Sequence, residues 1–166
     1  LGTAAAFQLA DSGQDDVLLI DKGPIASGTT PFAAGQTGYL HSDRFWFEFG
    51  LYNIEFFENF EAKTGQAIDF HQCGSLRITL TETYHQDLER RLEGAREIGD
   101  DARIISAEEA RQLVPLLDPP SDCRIMLMPR DGWVEPKSVA VAYAAAAADR
   151  GVHFHTGIPV TGLVHD

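Results

Sequence analysis

The chain has 166 residues, 44% of them apolar, the size and composition of one folded domain and not of a disordered segment. Thirteen Lys and Arg stand against 25 Asp and Glu, a formal net charge of −12, which argues against a nucleic-acid backbone or an anionic membrane surface as partner. No apolar run approaches the roughly 18 residues of a membrane span, and the first residues lack the basic start and long apolar core of a signal peptide.

Two cysteines, Cys73 and Cys123, stand far apart in no metal-ligand spacing. They predict two buried, unpaired thiols in a reducing compartment, the cytoplasm. The chain starts with Leu1 in place of Met, and helical character begins at once. It ends at Asp166, directly after an apolar strand pattern. Both ends give the expectation of an internal fragment of a longer protein.

In chain order, residues 1–12 predict a helix with Ala4, Ala5, Phe7, Leu9 and Ala10 on its packing side and Gly13 as its stop. Residues 15–21 predict a strand. Its continuous core, Val17-Leu18-Leu19-Ile20, suits a parallel strand covered on both faces. That strand ends on a carboxylate, Asp21, and runs into a loop of small and hydroxyl residues: Ala26, Ser27, Gly28, Thr29, Thr30, Ala33, Ala34 and Gly35. A carboxylate at a strand tip accepts hydrogen bonds from both hydroxyls of a ribose. A loop of so little bulk lets a ligand come close to backbone N–H groups. Together they point to a nucleotide cofactor lying across the carboxyl ends of strands. Gly2 stands nineteen residues before Asp21, where the last glycine of a G-x-G-x-x-G fingerprint sits in the first helical turn. The competing reading is an ordinary helix–strand unit with no ligand.

The run Asp21 to Gly35, D-K-G-x-x-x-S-G-T-T-x-x-A-A-G, resembles the flavin-binding segment of the D-amino-acid-oxidase-like FAD oxidoreductases, which include glycine oxidase, sarcosine oxidase and dehydrogenase, and dimethylglycine dehydrogenase. Later segments match in the same order, so the resemblance covers nearly the whole chain. It implies that Leu1 and Gly2 border the cofactor, that Asp21 binds the adenosine ribose with Lys22 beside it, and that Gly28, Thr29 and Thr30 approach the pyrophosphate and ribityl chain. Ala33, Ala34, Gly35 and Gln36 would pass along the isoalloxazine. At the position of Phe32 the dimethylglycine dehydrogenase-like branch has a histidine that carries the flavin covalently. Phenylalanine cannot form that bond, so FAD is expected to be non-covalent there.

Residues 41–63 predict a helix capped by Ser42 or Asp43, with Phe49, Tyr52, Phe56 and Phe60 as a stripe packed into the core and Gly65 as its end. His41 is a lone histidine near the flavin loop, structural or catalytic. Residues 74–80 alternate Leu76, Ile78 and Leu80 with Arg77 and Thr79, a half-buried strand of an antiparallel or mixed sheet. Arg77 offers either a solvated strand face or a clamp for a substrate carboxylate. Residues 82–98 predict an exposed helix buried at Leu88, Leu92 and Ala95 or Ile98; 103–106 a short strand; and 107–114 a helix opened by a Ser106–Glu109 capping box. Residues 124–128 predict a strand with Met126 and Met128 as core filler. Asp131-Gly132 reads as a turn, Trp133 as a packing anchor, and Glu135-Pro136 as the cap and first residue of an alanine-rich helix ending at Gly151. Residues 152–156 and 159–164 predict the last strands. His153 and His155 share one face of the first, without a further ligand that would make a metal site. The run I-P-V-T-G-L-V-H-D resembles the family strand that reads adenine through its backbone, at Val160.

The expected fold is therefore α/β: a Rossmann-like FAD-binding domain, its first strand missing, interrupted by part of a mixed-sheet substrate domain. The expected boundaries are residues 1–70 and 131–166 for the FAD-binding domain and 71–130 for the substrate domain. The resemblance implies oxidation of the C–N bond of a small amine or amino acid by hydride transfer to FAD, with the substrate anchors in sequence beyond Asp166. The fragment alone is expected to bind FAD poorly. No catalytic residue, metal or nucleic-acid partner is assigned, and the oligomeric state is left open. Two competing classes are a non-catalytic nucleotide-binding or regulatory module on the same fold and an NAD-dependent dehydrogenase, against which the long small-residue loop counts.

Overall fold

A computed structural model describes residues 1–164 of the chain. His165 and Asp166, the last two residues of the I-P-V-T-G-L-V-H-D run, lie outside the described residues. Among the described residues the fold is α/β, combining a parallel strand pair with antiparallel pairing elsewhere. The chain packs as two compact units. Among the described residues, 1–35, 59–70 and 134–164 form the first, and 36–58 with 71–133 the second. The segment 36–58 thus packs with the second unit.

In the first unit, α1 (Gly2–Asp11) leads to β1 (Leu18–Asp21), and α6 (Pro136–Ala148) leads to β8 (His153–Thr156). The two strands pair in parallel with Leu18 opposite His153 and Asp21 opposite Thr156. Alanines make this unit close-packed: Ala142, Ala146 and Ala147 of α6 are buried, and α6 lies against α1. Phe7 is 1% exposed and its ring lies 5.5 Å from that of Tyr143, which also meets Phe60 edge-on at 5.0 Å. Arg150 ties three segments together. Its guanidinium lies 4.5 Å over the Phe7 ring and donates to Asp11 Oδ1 and to the Lys63 carbonyl, both at 2.9 Å. Glu135 Oε1 accepts from the Lys137 amide at 2.8 Å, so the Glu-Pro start of α6 is capped as the sequence indicated.

Two expectations for this unit fail. Leu18 and Ile20 are 49% and 41% exposed, so β1 is not covered on both faces; among the described residues β8 is its only strand neighbour. Residues 159–164 form no strand. The ladder stops because β1 ends at Asp21, whose carbonyl takes the Ile158 amide at 3.0 Å, and no further strand residue remains to pair with.

The second unit holds β2 (Gln36–Thr37), α2 (Arg44–Glu58), β4 (Ser75–Thr79), α4 (Glu82–Glu97), β5 (Arg103–Ile105), α5 (Ala107–Leu113) and β6 (Arg124–Met128). Two elements reach into both units: β3 (Phe70–His71) and β7 (Gly132–Val134). The short α3 (Phe60–Thr64) belongs to the first. One antiparallel sheet has the order β4-β6-β5. Leu76 and Ile78 of β4 pack on the buried cluster Ile105, Ala110 and Ile125, while Met126 and Met128 are 0% and 3% exposed. Ser106 Oγ accepts from the Glu109 amide at 3.1 Å, one half of the capping box, and the Glu109 carboxylate turns instead to Arg103 at 2.8 Å. The other sheet, β2-β7-β3, sets Gln36 opposite Trp133 and Thr37 opposite Gly132. Gly132 is thus a strand residue and not a turn. A Cβ there would lie 2.0 Å from the His71 carbonyl oxygen, so only glycine fits.

The aromatic helix differs from its expected form. It ends at Glu58, because Asn59 leaves helical dihedrals at φ −111°, and α3 starts after it without a side-chain cap. Its buried face carries Phe47, Ile54 and Phe56, whereas Phe49 and Tyr52 are about half exposed at 52% and 53%. Gly50 sets this rotation. A Cβ on it would come within 2.8 Å of the Tyr39 backbone, so that side of the helix faces inward. Asp43, not Ser42, caps it through Oδ1 to the Trp46 amide at 3.1 Å.

Candidate functional site

The first unit contains a cleft of about 400 Å³ built by the start of α1, the tip of β1, the loop after it and Ala140 of α6. Asp21 lies where β1 delivers it, at the carboxyl end of the strand. Its Oδ1 accepts from the Gly23 amide at 2.9 Å, a local turn that fixes the carboxylate's direction. The start of α1 faces the same cleft. Leu1 provides no side-chain cap and no acidic residue occupies the first turn, so the first-turn amides keep their capacity to donate. A helix start of this kind attracts anions, phosphate above all.

The loop after Asp21 keeps the cleft open by its small residues. A Cβ on Gly28 would meet nothing within 4 Å. Ser27 closes a turn by donating its amide to the Pro24 carbonyl at 3.1 Å, and Ala26 takes the left-handed conformation at φ 59°. A short 3₁₀ turn, Thr30–Phe32, follows and packs against α6. Phe32 is 87% exposed. A Cβ on Gly2 would lie 3.5 Å from Leu19 Cδ1, ordinary contact, so close helix–strand approach does not by itself require glycine there.

Of the residues singled out from the sequence, Leu1, Gly2, Asp21, Lys22, Gly28, Thr29 and Thr30 line this one cleft. Ala33 and Ala34 are exposed and outside it, and Val160 is 62% exposed and outside it. Gly35 has a structural duty. It sits at φ 69°, its carbonyl accepts from the Val134 amide at 2.9 Å, and a Cβ would lie 2.1 Å from the Val134 oxygen. Gln36 belongs to the second unit, where it borders another cavity, of about 650 Å³. Ser27, named with the small-residue loop, lines the cleft as well; Thr3, Gly23 and Ala140 also line it and were not singled out. Gly23 was within reach of local reading; Ala140 lies more than a hundred residues from Asp21 and had no local signal.

The second unit carries a buried polar group that the sequence did not reveal. Asp131 is 5% exposed and its Oδ2 accepts from Ser75 Oγ at 2.7 Å. Burial pushes its carboxyl above the ordinary value, while Ser75, the Tyr39 amide and Arg77 oppose that rise. Tyr39 is 2% exposed, and burial together with the Asp100 carboxylate pushes its phenol up. Thr37 Oγ1, Tyr39 OH and Asp131 Oδ1 are buried without a hydrogen-bond partner among the described residues. Nearby, Arg130 holds Glu58 with two bonds of 3.0 and 2.8 Å. Burial alone would raise Glu58, but Arg130 and Gln72 bring it below the ordinary carboxylate value.

Comparison with known proteins decides the family. Residues 1–166 match the family described as FAD dependent oxidoreductase. The chain belongs to the FAD-dependent oxidoreductases. It is 31% identical over 163 residues to mitochondrial dimethylglycine dehydrogenase of Rattus norvegicus, a match covering 98% of this chain and 19% of that protein. It is 28% identical over 155 residues to the mitochondrial pyruvate dehydrogenase phosphatase regulatory subunit of Mus musculus, covering 93% of this chain and 18% of that one. Among solved structures, L-proline dehydrogenase from P. horikoshii superposes with a TM-score of 0.86 at 25% identity, covering 98% of this chain and 42% of that one. The chain therefore spans about a fifth of the length of these curated relatives.

The cleft fits the nucleotide end of FAD on its own chemistry. It combines an oriented carboxylate for ribose hydroxyls, uncapped helix amides for phosphate oxygens, and a glycine whose missing side chain leaves space. Among the described residues no helix is long and apolar enough to cross a membrane.

Proposed function

We propose that this chain supplies the dinucleotide end of the cofactor site in an FAD-dependent enzyme that oxidises the C–N bond of a small amine or amino acid. The observation that carries the reading is the meeting of Asp21 with the uncapped start of α1 in one cleft. Asp21 holds the ribose; the first-turn amides of α1 and the Gly28–Thr30 backbone hold the pyrophosphate; Lys22 lies beside the ribose at the cleft's edge. Bound FAD supplies the hydride acceptor for the substrate carbon next to nitrogen. The first unit is the cofactor-binding part and the second belongs to the substrate side. The roles of Ala33, Ala34, Gly35 and Gln36 beside the ring, and of Val160 at the adenine, rest on family resemblance.

FAD is held non-covalently at the Phe32 position, because an exposed phenyl ring offers no nucleophile. Both cysteines are free thiols, Cys73 exposed and Cys123 half-buried where two buried thiols were expected, which suits a cytoplasmic enzyme and equally a mitochondrial one such as several relatives are named. The names of the relatives, dimethylglycine dehydrogenase and L-proline dehydrogenase, support the substrate class.

A second reading is favoured by the regulatory-subunit relative: the same fold used as a flavin-binding module without turnover. The experiment is anaerobic mixing of the whole purified protein with dimethylglycine, sarcosine, glycine and proline. The enzyme reading expects a yellow protein whose visible absorption is bleached by at least one of them. A yellow protein bleached by none supports the module, and a colourless protein that takes up no added FAD overturns both.

A further inference from the structure

The second unit has a cavity of about 680 Å³ between the β4 strand, the start of α4 and residues His41–Ser42. This is the size of a small-molecule pocket. Its charge runs against that of the chain. The chain carries a formal −12, yet Arg77, Arg90 and Arg91 line this cavity and Asp87 is the single carboxylate among the lining residues.

The three guanidiniums are not equally committed. Arg91 is spent on structure: Nε donates to Asp87 Oδ2 at 2.7 Å and Nη1 donates to the Leu40 carbonyl. Asp87 is thereby used as well. Arg90 reaches Asp87 only at 3.7 Å, beyond hydrogen-bond distance. Arg77, an exposed residue of β4, makes no hydrogen bond or ion pair to any described residue; desolvation and the nearby Arg91 cation disfavour its charge, with Asp87 and Asp131 opposing. A guanidinium beside another cation, with its N–H groups unengaged by the protein, is free to fork onto a bound oxyanion that offsets that neighbour. Thr81, the residue before α4, also lines the cavity, and Glu82 in the first turn of α4 offsets the dipole of that helix. Ile78, Leu80 and Tyr84 give the cavity an apolar side.

We infer that this cavity binds a small oxyanion-bearing molecule, a carboxylate or a phosphate, through Arg77 and Arg90. The planar fork of each guanidinium matches either group with two parallel hydrogen bonds. The site is formed within the second unit and stands apart from the nucleotide reading of the first.

The test is calorimetric titration of the whole flavin-loaded protein with malonate and, separately, with inorganic phosphate at low ionic strength. The variants are Arg77→Gln, Arg77→Lys, Arg90→Gln and Arg103→Gln. Arg103 is paired with Glu109 outside the cavity. Saturable binding of either probe is expected, weakened at least tenfold by Arg77→Gln and by Arg90→Gln, less by Arg77→Lys, and unchanged by Arg103→Gln. Malonate binding alone marks an organic acid as the ligand, and phosphate binding alone a phosphorylated one. No saturable binding of either probe, or equal binding by wild type and a folded Arg77→Gln or Arg77→Lys variant, overturns the inference.

Discussion

Ser75 donates its hydroxyl to Asp131 Oδ2 at 2.7 Å, and this is the bond that makes a carboxyl only 5% exposed tolerable between β4 and β7. Burial raises Asp131, so the folded protein holds that proton to higher pH than the unfolded chain does. The sign follows. Between the unfolded and folded values the folded state binds more protons, so stability from this group is full below the window and is lost as pH rises through it. The difference in urea stability between wild type and Asp131→Asn is predicted to fall with rising pH above about pH 4 and then level off. Ser75→Ala is predicted to steepen that fall and to cost about 1–3 kcal/mol at neutral pH. A difference that is flat from pH 4 upward contradicts this account.

Gly35 and Gly28 are fourteen-residue-loop neighbours of Asp21 with opposite duties. Gly35→Ala meets a backbone oxygen at 2.1 Å in a left-handed conformation, so the loop itself must move. The predicted loss is more than about 2 kcal/mol of stability, read by thermal unfolding. Gly28→Ala meets nothing within 4 Å and is predicted to leave stability within about 0.5 kcal/mol. Gly28 lines the cleft, so an added methyl group beside it is predicted to lower FAD affinity. Flavin-fluorescence titration separates the two variants.

Ser106 caps α5 through Oγ at 3.1 Å from the Glu109 amide. Ser106→Ala is predicted to cost about 1 kcal/mol. Glu109→Gln, which leaves that bond in place, is predicted to cost less, because the exposed Arg103 pair contributes little. Urea midpoints of the two variants check the order.

The parts of the site that were legible are those written locally in the chain. Asp21, Gly28, Thr29 and Thr30 meet in one cleft because a strand tip and the loop leaving it are contiguous. Caps are equally local, which is why Ser106 and Glu135 could be read directly. What failed depended on distant partners. The aromatic helix offered two overlapping stripes at spacings of three and four, and the Tyr39 backbone against Gly50 selects between them. Residues 159–164 have a strand's composition, but a strand needs a ladder, and β1 has ended. Arg77, Arg90 and Arg91 gather from a strand and a helix, and their spacing alone gave no hint of a shared cavity.

The central claim is that the Asp21 carboxylate, held by the Gly23 amide, binds the ribose of FAD. Its most direct test is the dissociation constant of FAD for the deflavinated whole protein carrying Asp21→Asn or Asp21→Ala, measured by recovery of flavin-fluorescence quenching. Hydrogen bonds to a charged acceptor contribute about 1.5–3 kcal/mol each, so weakening of at least about tenfold is predicted, larger for Ala than for Asn, with the unfolding midpoint of the deflavinated protein unchanged. Wild-type affinity in both variants would contradict the account.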